Sequence, residues 1–178
     1  MTIKRNDSLN IDLLNINEEN NIEDMYLTFN VRNEEYAVNI SYVTEIVGMQ
    51  KISEVPDVPE FIKGVINLRG KVIPLMDVRL RFGLPWQDYN DRTTIIVLEV
   101  DNVSTGLVVD QVNEVLEISK ENIDPPPRWH GTSEQSIISA LGKREDSVCI
   151  ILDVIRLLSD EKIRIELPED IMATISQE

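Results

Sequence analysis

Few side chains in this sequence have the chemistry to run a reaction, and none stands where a reaction would need it. The one histidine, His130, lies beside Trp129 just after the run Pro125-Pro126-Pro127, and a lone imidazole cannot build a histidine-rich metal site. The one cysteine, Cys149, sits inside Val148-Cys149-Ile150-Ile151-Leu152, where a thiol serves as a small inert hydrophobe. No Cys-x-x-Cys, His-Glu-x-x-His or phosphate-cradling glycine loop occurs. No metal, cofactor or catalytic set is therefore expected. Carboxylates are abundant, but Glu18-Glu19 and Glu34-Glu35 fall in turn-like or tail-like stretches where solvated charge is the default. A hydrolase would need acids from distant segments to converge. Asp77 and Asp153 recur in matched contexts, which suits helix capping better than a shared dyad. The most informative polar residue is Arg69, at the tip of Gly64-Val65-Ile66-Asn67-Leu68-Arg69-Gly70. A guanidinium held on a rigid hairpin can grip a carboxylate with a planar fork, which is recognition chemistry.

The elements that must position these groups read mainly as short strands. Tyr26–Val31 and Tyr36–Val38 flank the turn-like Arg32-Asn33-Glu34-Glu35. Ile40, Val43 and Val47 fall at helical spacing, so a short helix is expected over 39–47 with Ser41 as its cap. Pro56 and Pro59 mark a bend. Ile62–Leu68 and Lys71–Met76 form a hairpin around Arg69-Gly70, and Asp77–Gly83 follows as a capped helical turn. Beyond a linker at 84–91, Thr93–Val100 and Gly106–Val109 are strands joined around Asp101-Asn102. Ser136–Leu141 and Val148–Leu152 are further strands, and Asp153–Leu158 repeats the capped turn.

The two halves resemble each other. Val43-Thr44-Glu45-Ile46-Val47 matches Val112-Asn113-Glu114-Val115-Leu116, 69 positions on, and Asp77-Val78 matches Asp153-Val154, 76 positions on. In this register the polar turn Lys143-Arg144-Glu145-Asp146 is the counterpart of the Arg69 hairpin tip. Matches in the same order imply a duplication: two small β-barrels in one molecule, with a groove where they meet. Residues 1–24 are Asn-rich and acidic and are expected to be a flexible tail, in which the cluster Leu9, Ile11, Leu13, Leu14 and Ile16 leaves room for a short docking segment. Residues 159–178 are expected to be a second tail.

Bulk composition narrows the partners. The 178 residues carry a net charge of −15, which opposes binding to nucleic acid or to an anionic membrane face, and no stretch suits a membrane span. A soluble cytoplasmic protein with protein partners is the expectation.

Phe61-Ile62-Lys63-Gly64-Val65-Ile66-Asn67-Leu68-Arg69-Gly70, followed by Val72-Ile73-Pro74-Leu75-Met76-Asp77, resembles the signature of the CheW family. The resemblance continues through Glu34–Val38, Val43–Ile46, Tyr89-Asn90-Asp91 and Gly106–Asp110, and spans residues 25–158. It implies a mainly β fold of two SH3-like five-stranded β-barrels with a few short helices, the change of lobe falling near 84–92 and strand exchange between lobes allowed. It also implies a non-catalytic scaffold that couples the cytoplasmic tip of methyl-accepting chemoreceptors to the regulatory domain of a CheA-type histidine kinase, without nucleic acid or membrane insertion. By motif position, Arg69, Gly64, Gly106, Val112 and Val115 are implied in receptor and array coupling, and Val43 and Glu45 in kinase or receptor contact. The alternative is the coupling portion of a CheV-type protein lacking its receiver domain.

Overall fold

Turn chemistry sets the hairpins. The structure, a computed structural model, describes residues 22–127 and 136–159. Trp129, His130, the apolar cluster at 9–16 and almost all of both expected tails lie outside the described residues. At the boundary, Ile22–Asp24 form a 3₁₀ turn. Strands β1 (Met25–Val31) and β2 (Glu34–Asn39) pair across a two-residue turn with Arg32 at φ 60°. Strands β4 (Ile62–Leu68) and β5 (Lys71–Asp77) meet through Arg69 and Gly70 at φ 54° and 85°. Strands β6 (Thr94–Val100) and β7 (Val103–Val109) meet through Asp101 and Asn102 at φ 51° and 64°. Two-residue loops with positive φ at both positions match the right-handed twist of the strands they join.

The expected helix over 39–47 is not formed. Residues Ile40–Tyr42 make a single 3₁₀ turn, and its cap is Asn39, whose side chain accepts from the Ser41 N–H; Ser41 is not the cap. Val43–Gly48 is instead strand β3, paired antiparallel with β6. The apolar positions 40, 43 and 47 fit a helical period, but a β-branched run with an open partner edge gains more from pairing.

Strands β8 (Gln111–Glu117), β9 (Ile123–Asp124), β10 (Ile138–Arg144) and β11 (Ser147–Leu152) complete two sheets. Their orders are β8-β1-β2-β11-β10-β9 and β3-β6-β7-β5-β4. Apart from the two-residue β9, which adds a sixth strand to one sheet, the orders correspond strand for strand. Each sheet also holds one parallel pair, β2 with β11 and β7 with β5. The correspondence reaches single bonds. The Asp77 N–H donates to the Phe61 carbonyl at 2.7 Å, and the Asp153 N–H to the Ile137 carbonyl at 2.7 Å. Each aspartate then caps a helical turn, α1 (Val78–Arg81) and α2 (Val154–Leu158), by accepting from the third following N–H. Capping is the role the sequence assigned to both.

The segment 84–92 does not coincide with a change of sheet. It joins α1 to β6, inside the unbroken run β3–β7 that forms one sheet. The chain passes between sheets at Asn39–Val43 and again at Asp110, so β1 and β2 are lent to the lobe that β8–β11 complete.

Alternation along the strands divides the core. Ile95 and Val97 of β6 face Val47, Ile66, Ile73, Leu75 and Val108 within their own lobe. Ile96 and Leu98 point the other way, into a cluster with Leu27, Phe29, Leu107, Leu152 and Leu157. That cluster draws on both sheets and fastens the lobes together. A smaller one, Ala37, Ile118, Cys149 and Ile151, lies in the β1/β2/β8–β11 lobe.

Candidate functional site: two matched arginine corners

The site grows from an irregularity repeated in both halves. On β3 the register slips after Val43: Val43 opposes Leu98, while Ile46 opposes Ile96. On β8, Val112 opposes Phe29 and Val115 opposes Leu27. In each case three steps on the edge strand match two on its neighbour, as in a β-bulge, which bends the strand and re-aims its side chains. Thr44 donates its hydroxyl to the Val97 carbonyl at 3.2 Å, and Thr28 donates to the Glu114 carbonyl at 3.0 Å. The re-aimed residues include Glu45 and its counterpart Glu114.

Arg69 meets Glu45. Its Nη1 donates to Glu45 Oε2 at 2.7 Å, with the Arg69 side chain 72% exposed and that of Glu45 18%. The tip is braced from below, because the Gly70 N–H donates to Asn67 Oδ1 at 2.8 Å. Holding a non-glycine residue in the left-handed region costs about 1–2 kcal/mol, and hairpin and side-chain bonds together stabilise Arg69 there. The second lobe repeats the arrangement with one more acid. Arg144, at the β10–β11 tip, donates to Glu35 Oε1 at 2.6 Å and Glu114 Oε1 at 2.8 Å. These bonds, first that to Glu35, raise the Arg144 pKa above its ordinary value and keep the cation fixed.

The other sequence-derived positions divide by role. Val43 on β3 and Val112 and Val115 on β8 are half-buried and pack against the shared core, so both edge strands present an apolar flank. Gly64 and Gly106 serve the backbone and the packing. A Cβ at Gly64 would stand 2.2 Å from the Ser53 carbonyl oxygen, and φ is +138°. Ser53 and Val65 exchange hydrogen bonds of 2.8 and 2.9 Å at this point. A Cβ at Gly106 would meet Leu75 Cδ2 at 2.5 Å. The structure thus pairs Arg69 with Glu45, puts Val43 on the same strand as Glu45, places Val112 and Val115 on the matching strand of the other lobe, and sets the two glycines in β4 and β7.

Two arrangements escaped the sequence reading. Arg79 on α1 donates from Nε to Asp110 Oδ1 at 2.8 Å and from Nη2 to Oδ2, and the Arg32 N–H donates to that same Oδ2 at 2.8 Å. This carboxylate therefore ties the two lobes where the chain crosses between them. Tyr89 donates to Asp77 Oδ2 at 2.8 Å, and burial, then that bond, pushes its phenol above the ordinary range. Both pairs join residues whose relation lies in the third dimension; Asp77, Tyr89 and Asp110 stood within quoted motifs and Arg79 did not.

Cys149 is buried, and burial followed by the charge of Glu35 pushes its thiol up to about 12. Among the described residues no group of three or more His, Cys, Asp or Glu could hold a metal ion. No helix among them is long and apolar enough to cross a membrane. What the corners offer is guanidinium–carboxylate recognition beside an apolar flank.

The CheW-like domain model matches residues 25–162. Chemotaxis protein CheW of Klebsiella aerogenes is 36% identical over 138 residues, covering 78% of this chain and 83% of that protein. The CheW of Bacillus subtilis is 32% identical over 143 residues, covering 80% and 92%. Chemotaxis protein CheV3 of Helicobacter pylori is 28% identical over 131 residues, 42% of its length. The crystal structure of the scaffolding protein TtCheW from Thermoanaerobacter tengcongensis superposes with a TM-score of 0.71 at 33% identity, over 79% of this chain and 95% of that one. With the CheW-like domain model matched over residues 25–162, two CheW relatives covered over most of their length and a fold of two SH3-like β lobes, this chain belongs to the CheW family of chemotaxis scaffolds.

Proposed function

We propose that the chain works in the cytoplasm as a non-catalytic adaptor. It couples the tip of methyl-accepting chemoreceptors to the regulatory domain of a CheA-type histidine kinase. The observation that carries this is the Arg69–Glu45 corner: an exposed guanidinium on a braced hairpin, beside the half-buried Val43 of an edge strand. Val112 and Val115 present the same kind of flank on the other lobe, so an apolar helical tip has two edges to lie against. The reading as part of a CheV-type protein is weaker, because the CheW relatives from Klebsiella and Bacillus match at higher identity than the CheV3 relative.

The test is reconstitution. Purified chain should bind a receptor tip fragment and a kinase regulatory domain, separately and together, and should raise kinase autophosphorylation only when receptor is present. On its own it should transfer no label from ATP. Label incorporated without any kinase would sink the non-catalytic reading, and failure to bind both partners would sink the coupling one.

A further inference from the structure

Arg69 is held in a backbone conformation that its residue type disfavours. It stands first in the two-residue turn between β4 and β5, at φ 54°, with Gly70 following at φ 85°. Left-handed backbone is cheap for glycine and tolerable for asparagine or aspartate, whose short side chains bond locally, but it is unfavourable for arginine. The Asp101-Asn102 turn places tolerant residue types at the same two positions. Arg32, the other arginine with positive φ, has its N–H bonded to Asp110 Oδ2 at 2.8 Å. The tip of the second lobe avoids the problem altogether. Arg144 stands on β10, before the turn, and neither Glu145 nor Asp146 has positive φ. A left-handed arginine presented by the turn itself is thus peculiar to the open corner.

Packing does not fix this turn. A Cβ built at Gly70 would meet nothing within 4 Å, and the Arg69 side chain is largely exposed. The arms of the hairpin are secured below it: Leu68 pairs with Lys71, and Lys71 Nζ donates to Ser104 Oγ of β7 at 2.7 Å. The peptide between Arg69 and Gly70 is what remains to be fixed. Its N–H belongs to Gly70 and donates to Asn67 Oδ1 at 2.8 Å. Rotating that peptide plane would turn the N–H away from Asn67, so the bond selects one orientation of the turn. Glu45 holds the far end of the arginine from β3, the opposite edge of the same sheet. A partner carboxylate that draws the guanidinium off Glu45 removes that hold, and the Asn67 bond is left to keep the tip aimed. We infer that Asn67 is a positioning residue for Arg69: it pre-organises the turn and so lowers the ordering cost of partner binding. The inference rests on the reading that Arg69 meets a partner.

The test is a cycle of variants in the full-length protein, read by receptor-dependent kinase activation across an adaptor titration and by amide hydrogen exchange at Gly70. Asn67→Ala should speed Gly70 exchange and raise the half-saturating adaptor concentration, each about fivefold. Its melting curve should stay close to the parent's, because Asn67 is exposed. Asn67→Asp keeps the acceptor and should restore both readouts. In an Arg69→Ala background, Asn67→Ala should shift half-saturation no further, since a residue that acts through another is not additive with it. Unmoved Gly70 exchange in Asn67→Ala overturns the inference, as does parental half-saturation in that variant when Arg69→Ala raises it. So does an equal loss from Asn67→Ala in the Arg69→Ala background, which would make Asn67 a partner contact in its own right. Parental activation by Arg69→Ala sinks the coupling reading instead, and Gly70 exchange then still decides whether Asn67 holds the tip.

Discussion

The two arginine corners are the same device with different loads. Arg144 has two carboxylates, Glu35 on β2 and Glu114 on β8, and its side chain is 33% exposed. It staples three segments that are far apart in the chain. Arg69 has one carboxylate, on β3 at the other edge of its own sheet, and is more than twice as exposed. One copy of a duplicated arrangement closed into structure while the other stayed open. A guanidinium has five donors, and Arg69 uses one of them on Glu45. Its spare donors are what a partner could use; Arg144 has fewer.

The largest effect should come from the backbone of β4, the strand that leads to the open corner. Under the 76-residue register, Gly64 corresponds to Ala140, and both follow a register slip, after Ile62 and Ile138. The second lobe accommodates a methyl at this position, but the first cannot, because Ser53 pairs against Val65 there. Gly64→Ala should cost about 3 kcal/mol or more, or abolish soluble expression, combining a backbone clash with a disfavoured φ. Ala140→Gly should cost about 1 kcal/mol. Urea melts of both variants check this. A Gly64→Ala protein with parental stability would mean that Gly64 acts at a partner surface and not through the fold.

The hairpins, the caps and the existence of two halves were legible because their signals are local. Asp101-Asn102 and Arg69-Gly70 announce two-residue turns, and Asp77 and Asp153 each stand just before an apolar helical turn. Strand exchange was not legible in the same way. It rests on β1 and β2 pairing with β8 and β11, between residues such as Thr28 and Glu114, separated by 86 positions. The helix expected at 39–47 failed for a related reason: the partner that makes β3 a strand is β6, some fifty residues on. Of the site, Arg69 and Glu45 were each legible through motif position. That they touch was not, and neither was the Arg79–Asp110 tie.

The closed corner should show an intermediate effect. Arg144→Ala removes two charge-assisted bonds and leaves Glu35 and Glu114 facing each other without a cation. Discounted for solvent at a partly exposed site, the loss should be about 1–2 kcal/mol. Asn113, which donates to Glu35 at 3.0 Å, limits it. Thermal melts measure the loss. Receptor-dependent kinase activation should survive at temperatures where the variant remains folded. A variant that keeps its melting temperature but loses activation would make the two corners functional equals and break the comparison.

The smallest change in stability is expected at Arg69, and there the functional readout decides. An exposed ion pair is worth about 0.5 kcal/mol, so Arg69→Ala should melt close to the parent. If Arg69 meets a partner carboxylate in a partly dry interface, its loss should weaken coupling by about 2 kcal/mol, read as receptor-dependent kinase activity. Arg69→Lys should recover only part of it, since an ammonium keeps the charge without the planar fork. These variants alone leave two roles entangled, because Arg69 also holds Glu45. Exchanging the pair separates them. Arg69→Glu with Glu45→Arg preserves an ion pair across the corner but moves the guanidinium from the hairpin tip to the edge strand. Should Arg69 serve only to pin Glu45, the exchanged protein regains activation that each single reversal loses. Presentation of Arg69 itself to the partner predicts that the exchange restores the melting curve and leaves activation at the level of the single variants. Melting and activation must therefore part company in the exchanged protein; if they recover together, the open corner is a staple like the other one.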